Sequence, residues 1–229
     1  MHQQVVDELG RRIVGGAWAP GEPLPVEDAL ATEIGVSRGG LREAVKALVA
    51  KGMLEVRPRT GTRVLAPEHW NHLDRDVLRW QQAGDPSALL RDTVELRRIV
   101  EPEAARLAAD RARPDDVRAL YDALAAMEAA AARPGREGYV EADIAFHRAL
   151  LDASGNRLLG SLGRAVDIAL EHSFHVSTQT PGAVEASLPA HRAVVDAVAA
   201  GDPATASAAV LSIIEAAEQE IAESPGLRR

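Results

Sequence analysis

Gly35-Val36-Ser37-Arg38-Gly39-Gly40-Leu41-Arg42-Glu43-Ala44-Val45-Lys46-Ala47-Leu48 decides how the first third of the chain folds. A short helix over Val26–Ile34 is predicted to stop at Gly35. Ser37 can cap a second helix, because its hydroxyl can accept an orphan N–H of the first turn. Leu41, Val45 and Leu48 recur at helical spacing and can face a core, while Arg38, Arg42 and Lys46 repeat at i, i+4, i+8 on the other side. A tight turn followed by a helix with an apolar back and a cationic front is the layout of a helix-turn-helix recognition helix. Gly39 and Gly40 weaken its first turn by up to ~1 kcal/mol each. That turn is therefore expected to be disordered until DNA orders it.

Upstream, Val5, Val6, Leu9, Ile13 and Val14 stripe a first helix over residues 3–16, which Gly15-Gly16 ends. Trp18-Ala19-Pro20-Gly21-Glu22-Pro23-Leu24-Pro25 is a stiff, non-helical connection, since each proline fixes its own φ and biases its predecessor towards extended geometry. Downstream, Gly52 is a stop for the reading helix. Two β-prone runs then flank Arg57-Pro58-Arg59-Thr60-Gly61, which reads as a hairpin. A hairpin after a recognition helix is the wing of a winged helix, and Gly61 lets backbone approach a phosphate or the minor groove.

Charge supports this reading only when it is divided. The chain of 229 residues carries a net charge of −8, which taken globally argues against nucleic acid. Residues 1–70 are balanced, with 9 basic and 9 acidic side chains. Within 38–63 there are 7 basic residues against Glu43 and Glu55 alone. A basic patch beside an acidic body fits a nucleic-acid-binding module joined to a second domain. No cysteine is present, which excludes disulfides, thiolate zinc sites and cysteine nucleophiles. No run approaches the roughly 18–20 apolar residues of a membrane span, and the N-terminus lacks a signal peptide's cationic start and apolar stretch. These features predict a cytoplasmic protein.

Residues 66–87 connect the halves, with a short helix over 70–80 whose Leu73, Val77 and Trp80 are predicted to face one way. Beyond 87 no strand signal survives. Helices are expected over 87–112, 114–132, 136–154, 156–178, 184–200 and 203–223, with Pro102 kinking the first. Their boundaries are Arg113-Pro114, Arg133-Pro134-Gly135, Ser154-Gly155-Asn156, Thr180-Pro181-Gly182 and Gly201-Asp202-Pro203. Such helices with short links make an antiparallel bundle. The whole is thus mostly α: a winged helix-turn-helix domain with a small hairpin wing over 1–66, a linker helix over 67–87, and an all-α bundle over 88–229.

Within the bundle, Asp143 and His147 stand at i, i+4 on one helix face, a spacing that suits two ligands of one metal. Val140, Ile144, His147 and Leu151 share a stripe, as do Leu188, His191, Val195 and Val198, so both histidines are predicted to point inward. Each could equally be a satisfied core histidine. Arg97 can pair with Glu101 at i+4 on its own helix.

Two resemblances sharpen these readings. Pro20-Gly21, Leu24-Pro25, Gly35-Val36-Ser37-Arg38, Leu41-Arg42-Glu43-Ala44, Leu48, Lys51-Gly52 and Gly61-Thr62-x-Val64 resemble the winged helix of the GntR family of bacterial transcription regulators. Val26 departs from the usual serine or alanine, which removes a cap. Arg97-x-x-Val100-Glu101-Pro102, Asp143-x-x-Phe146-His147, Ser154-Gly155-Asn156, His191-x-x-Val194-x-x-Ala197-Val198 and Gly201-Asp202-x-x-x-Ala206 resemble the FCD effector domain of the FadR subfamily.

The second resemblance implies a divalent metal, zinc or similar, on Asp143, His147 and His191, with Ile213 where a fourth histidine is usual. His172 and His175 are the substitutes at hand. It also implies that Arg97 binds an effector carboxylate. A narrower similarity, to the branch of galactonate-operon repressors, rests on Trp70-Asn71-x-Leu73-Asp74-x-Asp76-Val77-Leu78-x-Trp80, with Val100-Glu101-Pro102 and Glu141-Ala142-Asp143-Ile144. That branch shares isoleucine at the position of Ile213. The implied effector is a sugar acid met by Arg97, Asp143, His147, Asn156 and His191.

The expectation is therefore a homodimeric regulator of a pseudo-palindromic operator in double-stranded DNA, a repressor released by its metabolite. Ser37, Arg38, Gly39, Arg42, Lys46, Arg57, Arg59, Thr60 and Gly61 are its candidate DNA contacts. The rivals are a constitutive DNA-binding dimer without effector and a metal-dependent enzyme on Asp143, His147 and His191. The enzyme lacks an evident nucleophile or general base near that cluster.

Overall fold

The computed structural model describes residues 2–178, 180 and 182–223. Pro181, a predicted helix boundary, and residues 224–229 of the predicted bundle lie outside them. Two compact units divide the chain, Met1–Pro86 and Ser87–Arg229. The described residues form eleven α-helices and one two-stranded antiparallel sheet.

In the first unit, α1 (His2–Val14), α2 (Glu27–Ile34), α3 (Arg38–Ala50) and α4 (Arg75–Gly84) enclose one core with a hairpin. Val5, Val6, Leu9 and Ile13 of α1 meet Leu41, Ala44 and Leu48 of α3. The sequence stripes predict this seam. α2 starts at Val26 without a side-chain cap and stops at Gly35 in the left-handed region (φ 76°). α3 is capped as predicted, the Ser37 hydroxyl accepting the Gly40 N–H at 3.1 Å. The expected disorder of Gly39-Gly40 has no counterpart here, since both glycines are helical. Gly52 follows at φ 74°, and a Cβ there would meet the His69 carbonyl oxygen at 2.2 Å, so only glycine fits.

β1 (Leu54–Arg57) pairs with β2 (Gly61–Val64), Arg57 opposite Gly61 and Leu54 opposite Val64. The Pro-rich connection does more than span a gap. It lies along β2, with Leu24 N–H donating to Thr62 and Val64 N–H donating to Glu22. The predicted helix over 70–80 begins instead at Arg75, because the Asp74 carboxylate caps the N–H groups of Asp76 and Val77. Val77 and Trp80 are buried as predicted, but Leu73 lies before the cap and is exposed. Trp80 presses so closely on α1 that a Cβ at Gly10 would stand 2.4 Å from its ring, and its indole N–H donates to Asp7. α4 thus belongs to the core of the first unit.

The second unit comprises α5 (Pro86–Arg111), α6 (Pro114–Ala131), α7 (Tyr139–Ala153), α8 (Arg157–Ala165), α9 (Asp167–Ser177), α10 (Ala183–Ala200) and α11 (Pro203–Glu223). Leu90, Val94, Leu120, Leu124, Met127, Phe146, Leu150, Val194, Val195, Val198, Val210 and Ile214 build the main core. α5 runs uninterrupted through Pro102. One boundary differs: the single helix expected over 156–178 is two, broken at Val166 (φ −94°, ψ 9°). The cause is packing. A Cβ at Gly160 would meet the Asp152 carboxylate at 2.2 Å and one at Gly163 would meet Leu151 at 2.5 Å, so α8 lies against α7 through its glycines. Val166 is buried at the bend, and Asp167 then forks onto Arg148 of α7.

Candidate functional site

The bundle brings together three helices' polar groups inside an apolar wall. α7 supplies Asp143 and His147, α10 supplies His191, and α5 supplies Arg97 and Glu101; all five are buried. α9 supplies Phe174, whose ring lies 4.4 Å beneath the Arg97 guanidinium and 5.0 Å from the His147 ring. Phe146 meets both histidines edge-on.

Ligand atoms of Asp143, His147 and His191 all lie within 4.8 Å of one another. His147 Nε2 and His191 Nε2 each stand 3.3 Å from Asp143 Oδ1. The far sides of both rings have acceptors. A carbonyl can only accept, so His191 Nδ1–H donates to Ser187 O at 2.9 Å, and Nε2 is the nitrogen left to face Asp143. His147 Nδ1 stands 2.8 Å from Glu101 Oε2, though the oxygen lies off the N–H direction. A guanidinium can only donate, so Arg97 Nη2, 3.3 Å away, meets a lone pair on His147 Nε2 only in the neutral ring that a bound cation would require, not in the charged ring that Glu101 favours. His191 anchored through Nδ1, and His147 with Nδ1 beside a carboxylate, both with Nε2 aimed at Asp143, are placed much as metal-binding histidines are oriented. Asp143 Oδ1 and His191 Nε2 are buried without a hydrogen-bond partner. The donor set thus fits a divalent ion such as zinc.

Charge is handled within the cluster. Burial works against ionised Glu101, but the charges of Arg97 and His147 outweigh it and hold its carboxyl at about 2. Burial works against Asp143 too, but the imidazoles of His147 and His191 beside it outweigh burial and hold its carboxyl well below the usual carboxylate range. For His147 burial opposes the charged ring, the Glu101 carboxylate outweighs it, and the pKa is raised despite Arg97. Arg97 Nε donates to Glu101 Oε1 at 2.9 Å, the intrahelical pair that the spacing allows, yet Arg97 Nη1 is left without a partner. Thus the pair with Glu101 leaves one edge of the guanidinium for something else.

Other predicted residues are placed elsewhere. Asn156 is exposed, and its side chain caps α8 by accepting the Leu158 N–H at 3.0 Å, so it is not brought to the cluster. His175 is exposed, and His172 is not among the converging ligand atoms. Ile213 is buried and lines the same small pocket as Arg97, Asp143, Phe174 and His191. That pocket has room for about 30 Å³ of solvent, enough for a water molecule or two. Sequence reasoning missed Glu101 as the partner of His147, and missed Ser187. The latter stands four residues before His191 on α10, which is the one signal that could have found it.

In the first unit Ser37, Arg38, Gly39, Arg42, Lys46, Arg57, Arg59, Thr60 and Gly61 are all exposed. α3 and the hairpin loop line one open groove through Arg42, Lys46, Arg59, Thr60 and Gly61. Arg59 adopts φ 67° and Gly61 φ 82°, which sharpens the hairpin tip. Sequence counting missed that four of these cations are already paired. Arg38 meets Asp28 at 2.7 Å, Arg42 forks onto Glu27 at 2.6 and 2.9 Å, Lys46 meets Glu43 at 2.8 Å and Arg57 meets Glu55 at 2.8 Å. No helix among the described residues is long and apolar enough to cross a membrane.

Comparison with known proteins covers both units. Residues 1–64 match the bacterial regulatory proteins of the gntR family, and residues 92–216 match the FCD domain. The chain is 35% identical to the galactonate operon transcriptional repressor of Escherichia coli K12, over 96% of each chain. It is 33% identical to the HTH-type transcriptional regulator LutR of Bacillus subtilis, over 87% of this chain and 91% of that one. Among solved structures it resembles a GntR protein of Streptococcus agalactiae (TM-score 0.56, 29% identity, covering 96% of this chain and 99% of that one). It shares the fold of Lar from Listeria monocytogenes (TM-score 0.66, 21% identity, 97% of each chain).

Proposed function

Because the chain belongs to the GntR family of transcription regulators, with an FCD domain behind its DNA-binding winged helix, we propose that it is a homodimeric repressor of sugar-acid catabolism genes. A small carboxylate, an aldonate such as galactonate, enters the bundle and releases the operator. The relatives found are regulators, and one bears the name of a galactonate operon repressor. One observation carries the effector class. A divalent ion on Asp143, His147 and His191 with both rings neutral, added to Arg97 and the carboxylates of Asp143 and Glu101, gives these five buried residues one positive charge in excess. Buried charge is costly unless paired. A monocarboxylate balances it, and the unpartnered Arg97 Nη1 gives it a donor. The ion, when bound, supplies a Lewis-acidic point for the effector's oxygens.

The DNA-facing residues keep the roles that their exposure allows. Arg38, Arg42 and Lys46 contact the major groove and its flanking phosphates, and Arg57, Arg59 and Gly61 form the wing. Arg42→Ala is expected to weaken operator binding by about 1–3 kcal/mol and to relax preference at one base pair. Titration of operator variants by fluorescence anisotropy checks this; uniform weakening at every sequence would reduce Arg42 to a phosphate contact. Effector binding must favour a dimer geometry that no longer matches the half-site spacing, since a ligand without differential affinity shifts nothing.

The test is a thermal-shift screen of galactonate, gluconate and related acids against metal-loaded protein, followed by operator release. A true effector at 100 times its Kd stabilises the chain by about 2.7 kcal/mol and lowers operator affinity. The second reading, a constitutive DNA-binding dimer, draws on Ile213 and on a pocket that now has room for about 30 Å³. A six-carbon acid requires that pocket to open. No shift with any acid, and no release, would favour this reading.

A further inference from the structure

We propose that the acidic start of α2 sets the specificity of the DNA-reading helix: Glu27 aims Arg42 at its base, and Glu27 and Asp28 together hold down affinity for DNA that offers no such base. The inference rests on Arg42 reading a base. Arg42 is 63% exposed, yet its Nε and Nη2 both donate to the Glu27 carboxylate, at 2.6 and 2.9 Å, across two helices. The exposed pair lowers the Glu27 pKa through the Arg42 hydrogen bonds, so the carboxylate is ionised wherever DNA is bound. An exposed pair adds little to folding, so its consequence is better sought in where it points the guanidinium.

A guanidinium has five N–H donors in a fixed plane. The fork to Glu27 occupies the edge formed by Nε and Nη2. The opposite edge, with Nη1 and the second Nη2 hydrogen, stays open, and no interaction with Nη1 is found among the described residues. That remaining edge can still donate side by side to O6 and N7 of guanine. With the inner edge clamped, the outer edge has one direction instead of many. The ordering of a long side chain is then complete before DNA arrives, and a neighbouring base pair is not reached.

The charges act in a second way. Asp28 pairs with Arg38 at 2.7 Å, so the two reading arginines of the first helical turns face the two carboxylates of Glu27 and Asp28. A phosphate must compete with these groups for each arginine. Phosphate contact is the same on every sequence, whereas the aimed edge rewards one sequence. The carboxylates therefore subtract from all DNA binding, and Glu27 returns part of the loss only at the matching base pair. Discrimination between sequences is thereby built partly from repulsion.

The test uses the full chain and duplexes selected by the wild-type protein from a random library. Affinity is measured for a selected duplex, for its single base-pair variants, and for a random-sequence duplex of equal length. Arg42→Ala first identifies the base pair at which discrimination disappears. Glu27→Gln, which loses the charge and the second acceptor, should raise affinity for the random duplex several-fold and flatten discrimination at that pair. Glu27→Asp keeps the charge but shortens the reach; it should flatten discrimination without the gain on random DNA. Asp28→Asn should raise affinity for both duplexes and keep discrimination. Unchanged discrimination in both Glu27 variants, or an equal loss on all duplexes with a lowered melting temperature, would overturn the inference. If Arg42→Ala itself keeps discrimination at every pair, the base-reading role of Arg42 fails instead.

Discussion

Arg97→Ala is expected to leave operator binding in place and to abolish release by the effector. Arg97 is 3% exposed and touches three partners: Glu101 through Nε, His147 through Nη2 and the Phe174 ring through its face. None of these belongs to the winged helix, so DNA binding should survive wherever the bundle stays folded. The variant does carry a stability cost. Glu101 loses the charge that does most to hold its carboxyl at about 2, and keeps only His147. Breaking one side of a buried ion pair costs about 3–5 kcal/mol, a fall in melting temperature on the order of 10 °C for a unit of this size. A double variant, Arg97→Met with Glu101→Gln, removes both charges and should recover much of that loss. It should still ignore the effector. Arg97→Lys keeps the charge without the planar fork, and should respond at least ~10-fold more weakly. Operator titrations with and without the acid, run well below each melting point, decide the matter. Full release of the Arg97→Ala protein would sink the pocket assignment.

How much of this was legible beforehand follows from how local each signal is. The helices of both units could be read because apolar residues recur at the helical period and because Gly and Pro punctuate them. The seam of α1 on α3 needed nothing more than Leu9, Ile13, Leu41 and Leu48. The break at Val166 could not be read, since no Gly or Pro marks it. It arises because Gly160 and Gly163 let α8 lie on α7, a fact about two helices and not about one stretch. Asp143 and His147 were legible as an i, i+4 pair, and His191 as an inward stripe. Glu101 was misread as a partner of Arg97 alone, because its approach to His147 spans two helices. Asn156 was assigned to the effector although an Asn before a helix is first of all a cap, which is how it is used. The count of cations over 38–63 overstated the positive face for a related reason. Glu27 and Asp28 lie outside that window but fold against it.

The metal cluster makes the opposite pair of predictions possible, a loss and a gain at one site. His191→Ala should lower affinity for zinc by about 100-fold or more, the upper end of what losing a mere outer-shell partner costs. His191 contributes an Nε2 that has no hydrogen-bond partner, is held by Ser187 at its far side, and faces Asp143 at 3.3 Å. Without it Asp143 and His147 remain, which is two ligands on one helix. Ile213→His should act the other way. Ile213 is buried and shares the pocket of Asp143 and His191, so an imidazole there offers a fourth donor. Four protein ligands close a zinc site, whereas three leave a position open. The gain should therefore be double-edged: tighter metal, and a weaker response to any acid that needs the open position. Metal content after dialysis, and the rise in melting temperature on adding zinc to chelator-treated protein, measure the first effect. Operator release measures the second. A zinc-induced rise in His191→Ala equal to that of the wild type would show that the ion is held elsewhere. Tighter metal in Ile213→His with undiminished release would show that the effector does not use the ion.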